Sequence, residues 1–371
     1  MLHRVSARTR RLLSAIAASI AGLIAGGFLL AWSGVYNIAA SRGHWAVVEW
    51  FLQFGMKNSV ERRAWGIEAP RLDHPDLHSL GAAHFHRACV HCHGAPETPS
   101  DLTAQQALPP PPDLTHVSKM WKDRELFWIV KHGIKYTGMP AWVVQERDDE
   151  VWAMVAFLKR LPELDAESYR RLAIGAAEAP VQSGRDIAFV GRLTDVVGSC
   201  ARCHGAEQRG PASGLVPVLH GQSREFLSAA LWAYAKGSRR SGIMQPIASE
   251  LRADEIAKLT DYYSGLAAPK PRSRAEAPAV ARSLATDGDP DRKIPACTTC
   301  HDAKALPLYP RLAGQNAAYM ANRLRLWKNG MSPSSDTEAI MAPIARLLTD
   351  DQIAGVSAYF ANLSSERGQA P

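Results

Sequence analysis

Between His84 and Gly94 the chain reads HFHRACVHCHG, with four histidines and two cysteines in eleven residues. Thiols and imidazoles at such density bind transition metals or form disulfides, and zinc is the first chemistry they suggest. The remaining cysteines narrow the choice. All six fall into three copies of one pattern: CVHCH (Cys89, Cys92, His93), CARCH (Cys200, Cys203, His204) and CTTCH (Cys297, Cys300, His301). Three disulfides would not require a histidine directly after each pair. A zinc ribbon places two Cys-x-x-Cys pairs about 15–20 residues apart, whereas these pairs lie about a hundred residues apart.

Cys-x-x-Cys-His is the attachment signature of c-type haem. On a helix, positions i, i+3 and i+4 share a face, so both sulfurs reach a porphyrin edge while the imidazole reaches the iron. Three motifs that use every cysteine predict three covalently bound haem c groups. Cys89, Cys92, Cys200, Cys203, Cys297 and Cys300 are the expected tethers, and His93, His204 and His301 the expected iron ligands. His91 should point away from the iron. His84 and His86 are read as polar residues of the preceding helix, with a ligand role as the alternative.

Each iron needs a second axial ligand. A methionine thioether favours ferrous iron and closes the site for electron transfer, whereas an open position would suggest catalysis. Met244 and Met341 each lie 40 residues after their histidine, in matching IMQPIA and IMAPIA sequences. Their units align elsewhere too, with VPVLHGQ (216–222) matching YPRLAGQ (309–315). In the first unit Met139 lies in TGMPAW, 46 residues after His93. Met120 and Met154 compete there, although Met154 sits in a helical apolar pattern. Met331 is the rival in the last unit, and Met320 reads as helix core. Met139, Met244 and Met341 are the expected distal ligands. Prolines after each motif (the Pro109–Pro112 run, Pro217 and Pro310) offer carbonyls that could orient the histidines.

These elements resemble class I cytochrome c, repeated three times. IPACTTCHDAKALPLYPRLAGQNAAYM carries the likeness most specifically, and units two and three resemble the dihaem c-four-type cytochromes. Unit one is similar, more loosely, to monohaem membrane-bound cytochromes c, with Gly81 and Phe85 spaced like the family's helix-crossing residues. The resemblance implies closing helices near Asp148–Leu161, Ala253–Leu266 and Thr349–Leu363. The expected fold class is all-α: an N-terminal transmembrane helix followed by three class I cytochrome c haem domains. The expected divisions are 1–40 (basic stub and anchor), 41–72 (membrane-proximal linker), 73–165, 181–268 and 278–366 (the haem domains). Two stretches, LDAESYRRLAIGAAEAPVQSG and APKPRSRAEAPAVARS, read as linkers.

Residues 12–36 contain no charge and as a helix would reach roughly 37 Å, enough to cross a bilayer core of about 30 Å. Arg4, Arg8, Arg10 and Arg11 precede them and favour a cytoplasmic N-terminus. A retained anchor is expected, with a cleaved signal peptide as the alternative. HWAVVEWFLQF is read as a helix near the membrane surface or as a packing helix. The formal net charge is +7, of which residues 1–40 supply four, and no basic stripe suggests nucleic acid.

What the resemblance implies is an electron-transfer protein rather than an enzyme. It would sit at the bacterial inner membrane with its haem domains in the periplasm. Its redox partners would be a quinol-oxidising complex or a dehydrogenase on one side and a terminal oxidase or soluble carrier on the other. A cytochrome subunit of a membrane-bound alcohol, aldehyde or sugar dehydrogenase complex is the alternative. A haem peroxidase is the third reading and would need an open iron.

Overall fold

The computed structural model describes residues 6–175, 196–207, 209–267, 278–302, 306–331 and 336–363. They are helical, and among them there is no β-strand beyond isolated bridges such as Ala95 with Thr98.

Among the described residues one helix, Ala7–Ser33, is long and apolar enough to cross a membrane, and none of it is buried. It ends at Gly34, whose φ of 65° lies in the left-handed region that closes helices. Arg8, Arg10 and Arg11 lie inside its first turns rather than ahead of it. The next helix, Ala46–Ala64, is divided along its length. Trp50, Phe51 and Phe54 near its start are exposed, while Val60 and Ala64 near its end are buried.

Unit one is built on two crossing helices. Pro75–Ala88 starts with proline at its first position, where a missing N–H costs nothing. Asp148–Arg160 carries Asp148, Asp149 and Glu150 in its first turn and Lys159 and Arg160 in its last, which suits the helix dipole. The two meet at Gly81, where any side chain would overlap the Ala153 carbonyl and the Phe157 Cβ. Phe85, Phe157 and Tyr169 close the core around this crossing.

Tyr169 corrects one expectation. The stretch read as a linker after residue 165 is helical over Ala166–Ile174, with Ala166, Tyr169 and Ala173 buried. Its spacing of small and aromatic residues at i, i+3 and i+7 covers the motif helix of unit one. The rest of that stretch, and the part of the second expected linker before residue 278, lie outside the described residues.

Units two and three repeat the crossing plan. Val196–His204 packs on Ala253–Gly265 through Val196, Ile256, Leu259 and Tyr263. Ala279–Thr286 packs on Asp350–Asn362 through Leu284, Ile353 and Val356. The last closing helix begins in a capping box between Thr349 and Gln352. All three closing helices lie where the resemblance implied, within one or two residues.

The units are not separate beads. Arg147 binds Asp149 in a two-pronged pair at 2.8 Å on each prong and Glu150 at 2.8 Å. Glu150 also accepts hydrogen bonds from Ser241 and Gly242 of unit two, and Asp149 accepts one from Asn322 of unit three. Unit one therefore touches both of the others through one buried charged junction. At Asp149 burial opposes ionisation, but the Arg147 hydrogen bonds prevail and hold its pKa below the usual range.

Candidate haem sites

The three motif histidines share one arrangement. His93 Nδ1 donates to the Pro112 carbonyl at 2.9 Å, His204 Nδ1 to Pro217 at 3.1 Å, and His301 Nδ1 to Pro310 at 2.9 Å. A carbonyl can only accept, so each bond places the proton on Nδ1 and leaves Nε2 with a free lone pair. That is the tautomer an iron ligand needs. Burial lowers the pKa of all three against the opposing pull of the carbonyl, His204 to about 4, so the rings stay neutral.

The thiols fit the same group. All six cysteines are half-buried, and none is in a disulfide. The first of each pair rests on its unit's core: Cys89 beside Phe85 and Phe157, Cys200 beside Val196 and Tyr263, and Cys297 beside Ala285 and Phe360. Among the described residues no group of three or more His, Cys, Asp or Glu side chains forms a metal cage. The donor set suits a tethered porphyrin better than zinc.

The expected distal methionines are all half-buried. Met139 follows the helix Asp123–His132 in a loop folded back on itself. Thr137 Oγ1 accepts from its N–H at 3.1 Å, and its carbonyl receives Ile134 N–H at 3.3 Å. Met120 is 80 % exposed and Met154 is 2 % exposed in the core, so neither shares that setting. Met244 opens the helix Met244–Ser249, where its N–H donates to Ser241 Oγ at 3.0 Å. Met341 lies inside Asp336–Leu347, two residues before Pro343. Met320 belongs to the core beside Cys297, and Met331 is buried past the end of Ala317–Lys328.

His84 and His86 lie against other side chains of unit one. His86 Nδ1 meets the Tyr169 hydroxyl at 3.0 Å, and the His84 ring lies 4.9 Å from that of Trp142. Burial pushes each down to about 4. Three features escaped the sequence reading. One is Glu150, indistinguishable from an ordinary first-turn acid. Another is Trp142, whose indole N–H donates to Glu150 at 3.3 Å. The third is the pair Gln222 and Gln315, whose signal was present in the shared Gly-Gln ending of the two proline loops.

Tethered c-type haem with a histidine ligand defines a class of electron carrier, and the comparisons agree. The family model described as cytochrome c oxidase, cbb3-type, subunit III matches residues 77–158. The thiosulfate dehydrogenase electron acceptor of Stutzerimonas stutzeri is 34 % identical over 200 residues, spanning 52 % of this chain and 92 % of that one. Cytochrome c4 of Thiocapsa roseopersicina is 32 % identical over 181 residues, 45 % of this chain and 88 % of that one. Among solved structures, cytochrome c4 of Acidithiobacillus ferrooxidans aligns with 30 % identity and a TM-score of 0.41, covering 44 % of this chain and 98 % of its own. The chain belongs to the class I cytochrome c family. Its relatives are named as cytochromes and electron acceptors, so it is an electron-transfer protein that carries covalent haem c.

Proposed function

We propose that the chain is a membrane-anchored cytochrome with three haem c domains, passing electrons from a periplasmic dehydrogenase or quinol-oxidising complex to a terminal oxidase or soluble carrier. The observation that carries this reading is the threefold recurrence of one site: a Cys-x-x-Cys-His motif whose histidine is locked to a proline carbonyl. In it Cys89, Cys92, Cys200, Cys203, Cys297 and Cys300 tether the haems. His93 with Met139, His204 with Met244, and His301 with Met341 hold the irons. Bound haem c supplies a one-electron ferric–ferrous couple. The chain keeps each histidine neutral and oriented, excludes water with the closing-helix cores, and holds the three sites in one packed body.

Two features support the location and the donor. The exposed apolar helix Ala7–Ser33 reads as an anchor at the inner membrane, which would leave the haem domains in the periplasm. The similarity to thiosulfate dehydrogenase electron acceptors favours a dehydrogenase of that kind as donor. The unit-one match to an oxidase subunit favours an oxidase downstream. A test is anaerobic mixing of the oxidised full chain with a thiosulfate dehydrogenase. Haem reduction should require both enzyme and thiosulfate. Reduction by neither enzyme–substrate mixture nor quinol-oxidising complex would contradict the proposed role.

A further inference from the structure

We propose that Gln222 and Gln315 are positioning residues that act crosswise, each setting the electronic character of the other unit's iron-ligand histidine. The inference rests on the reading of His204 and His301 as ligands. Gln222, in unit two, accepts from Arg311 N–H at 2.9 Å through Oε1 and donates to the Arg311 carbonyl at 2.8 Å through Nε2. Gln315, in unit three, accepts from Val218 N–H at 2.7 Å and donates to the Val218 carbonyl at 3.0 Å. The exchange is reciprocal, because Val218 and Arg311 hold equivalent places in the two proline loops.

Those places matter. The Pro310 carbonyl, which receives His301 Nδ1–H, belongs to the same peptide group as Arg311 N–H. The Pro217 carbonyl and Val218 N–H are likewise two ends of one peptide. A hydrogen bond accepted from one end of a conjugated amide makes its oxygen a stronger acceptor. The chain from Gln222 Oε1 through the 310–311 peptide therefore draws harder on the His301 proton. The ring gains anionic character and becomes a stronger donor, which favours ferric iron and lowers the potential. Both glutamines are buried, at 5 % and 6 % exposure, so solvent does not screen the effect.

Local structure explains how each side chain reaches across. Gly221 and Gly314 have φ values of 70° and 73°, a left-handed turn that sends the next residue outward. Gly221 N–H donates to the Tyr263 carbonyl at 3.1 Å and Gly314 N–H to Phe360 at 2.9 Å, which anchors each loop on its own closing helix. Two more bonds hold the loops together: Arg311 Nη1 to the Gly221 carbonyl at 2.7 Å and Asn316 Nδ2 to the Val216 carbonyl at 2.6 Å. In unit one the residue after Pro112, Asp113, caps a short helix instead.

The test uses the haem-loaded full chain, with potentials assigned to each haem by its paramagnetically shifted axial methyl signals. Gln222→Leu should raise the unit-three potential by about threefold in its redox equilibrium, roughly 28 mV at about 59 mV per decade, and move unit two less. Gln315→Leu should raise unit two and move unit three less. Gln222→Glu keeps an acceptor for Arg311 N–H and should leave the unit-three potential at or below its original value. A shift confined to the substituted unit's own haem, equal shifts in both, or no shift would overturn the proposal. If Gln222→Leu does not fold, Gln222→Asn, one methylene too short to reach, replaces it. Loss of histidine–methionine spectra in the unsubstituted protein would instead defeat the ligand reading.

Discussion

Ser241 of unit two donates its hydroxyl hydrogen to Glu150 of unit one at 2.5 Å, and both residues are buried. The same hydroxyl oxygen accepts from Met244 N–H at 3.0 Å. The closing helix of one unit thus fixes the start of the helix that carries the expected iron ligand of the next.

That relationship gives a stability prediction. Glu150→Ala strips acceptors from Ser241, Gly242 and Trp142 and leaves the buried Arg147 with one fewer carboxylate. It should cost about 3 kcal/mol. Glu150→Gln keeps an acceptor and should cost less. Denaturant midpoints followed by haem circular dichroism give both values, and equal, negligible losses would show that the junction carries no stability.

The helix crossing of unit one tolerates no side chain at Gly81, where the obstacles are the Ala153 carbonyl and the Phe157 Cβ. Gly81→Ala should cost about 1–3 kcal/mol by forcing the helices apart. Gly138, whose Cβ would meet nothing nearby, is the control. A denaturation curve that does not move for Gly81→Ala would contradict the packing.

His86 makes unit one sensitive to acid. Burial, with Arg202 adding to it, pushes its pKa down to about 4, against roughly 6.5 in an unfolded chain. The unfolded state therefore binds more protons between these values. The stabilisation is complete above about pH 6.5 and is lost as pH falls toward 4, by up to about 3 kcal/mol. His86→Gln can still bond the Tyr169 hydroxyl and should flatten that slope. An unchanged slope in thermal scans from pH 7 to 4 would assign the effect elsewhere.

In the proposed ligand set Met139 completes the first site. Met139→His should keep that haem low-spin and lower its potential, because a soft ligand that favours ferrous iron is replaced. A spectrum and potential unchanged in all three haems would move the role to another residue.

Local patterns were legible in the sequence because they are local. The motif spacing, the three closing helices and the proline carbonyls all follow from a few neighbouring residues, and the structure places them as read. Tyr169 was misread because polar neighbours on both sides made its segment look like a linker, while its role depends on ring contacts with Phe157 and with Phe85, far away in the chain. Glu150 gave no signal, and the repeated Gly-Gln ending marked the two glutamines without showing what they bind, for a related reason. Their partners lie 91, 89 and 97 residues away in the chain, and no periodicity reports a contact across units.

The central claim is that one chain carries three covalently held haems. The direct measurement is the intact mass of the denatured protein after removal of all noncovalent ligands, read against the mass of its mature polypeptide. The expected result is a single species heavier by three haems, falling to two when the Cys297 and Cys300 pair is replaced by alanine. A mass showing one or two haems in the unsubstituted protein, or a polypeptide carrying none, would contradict it.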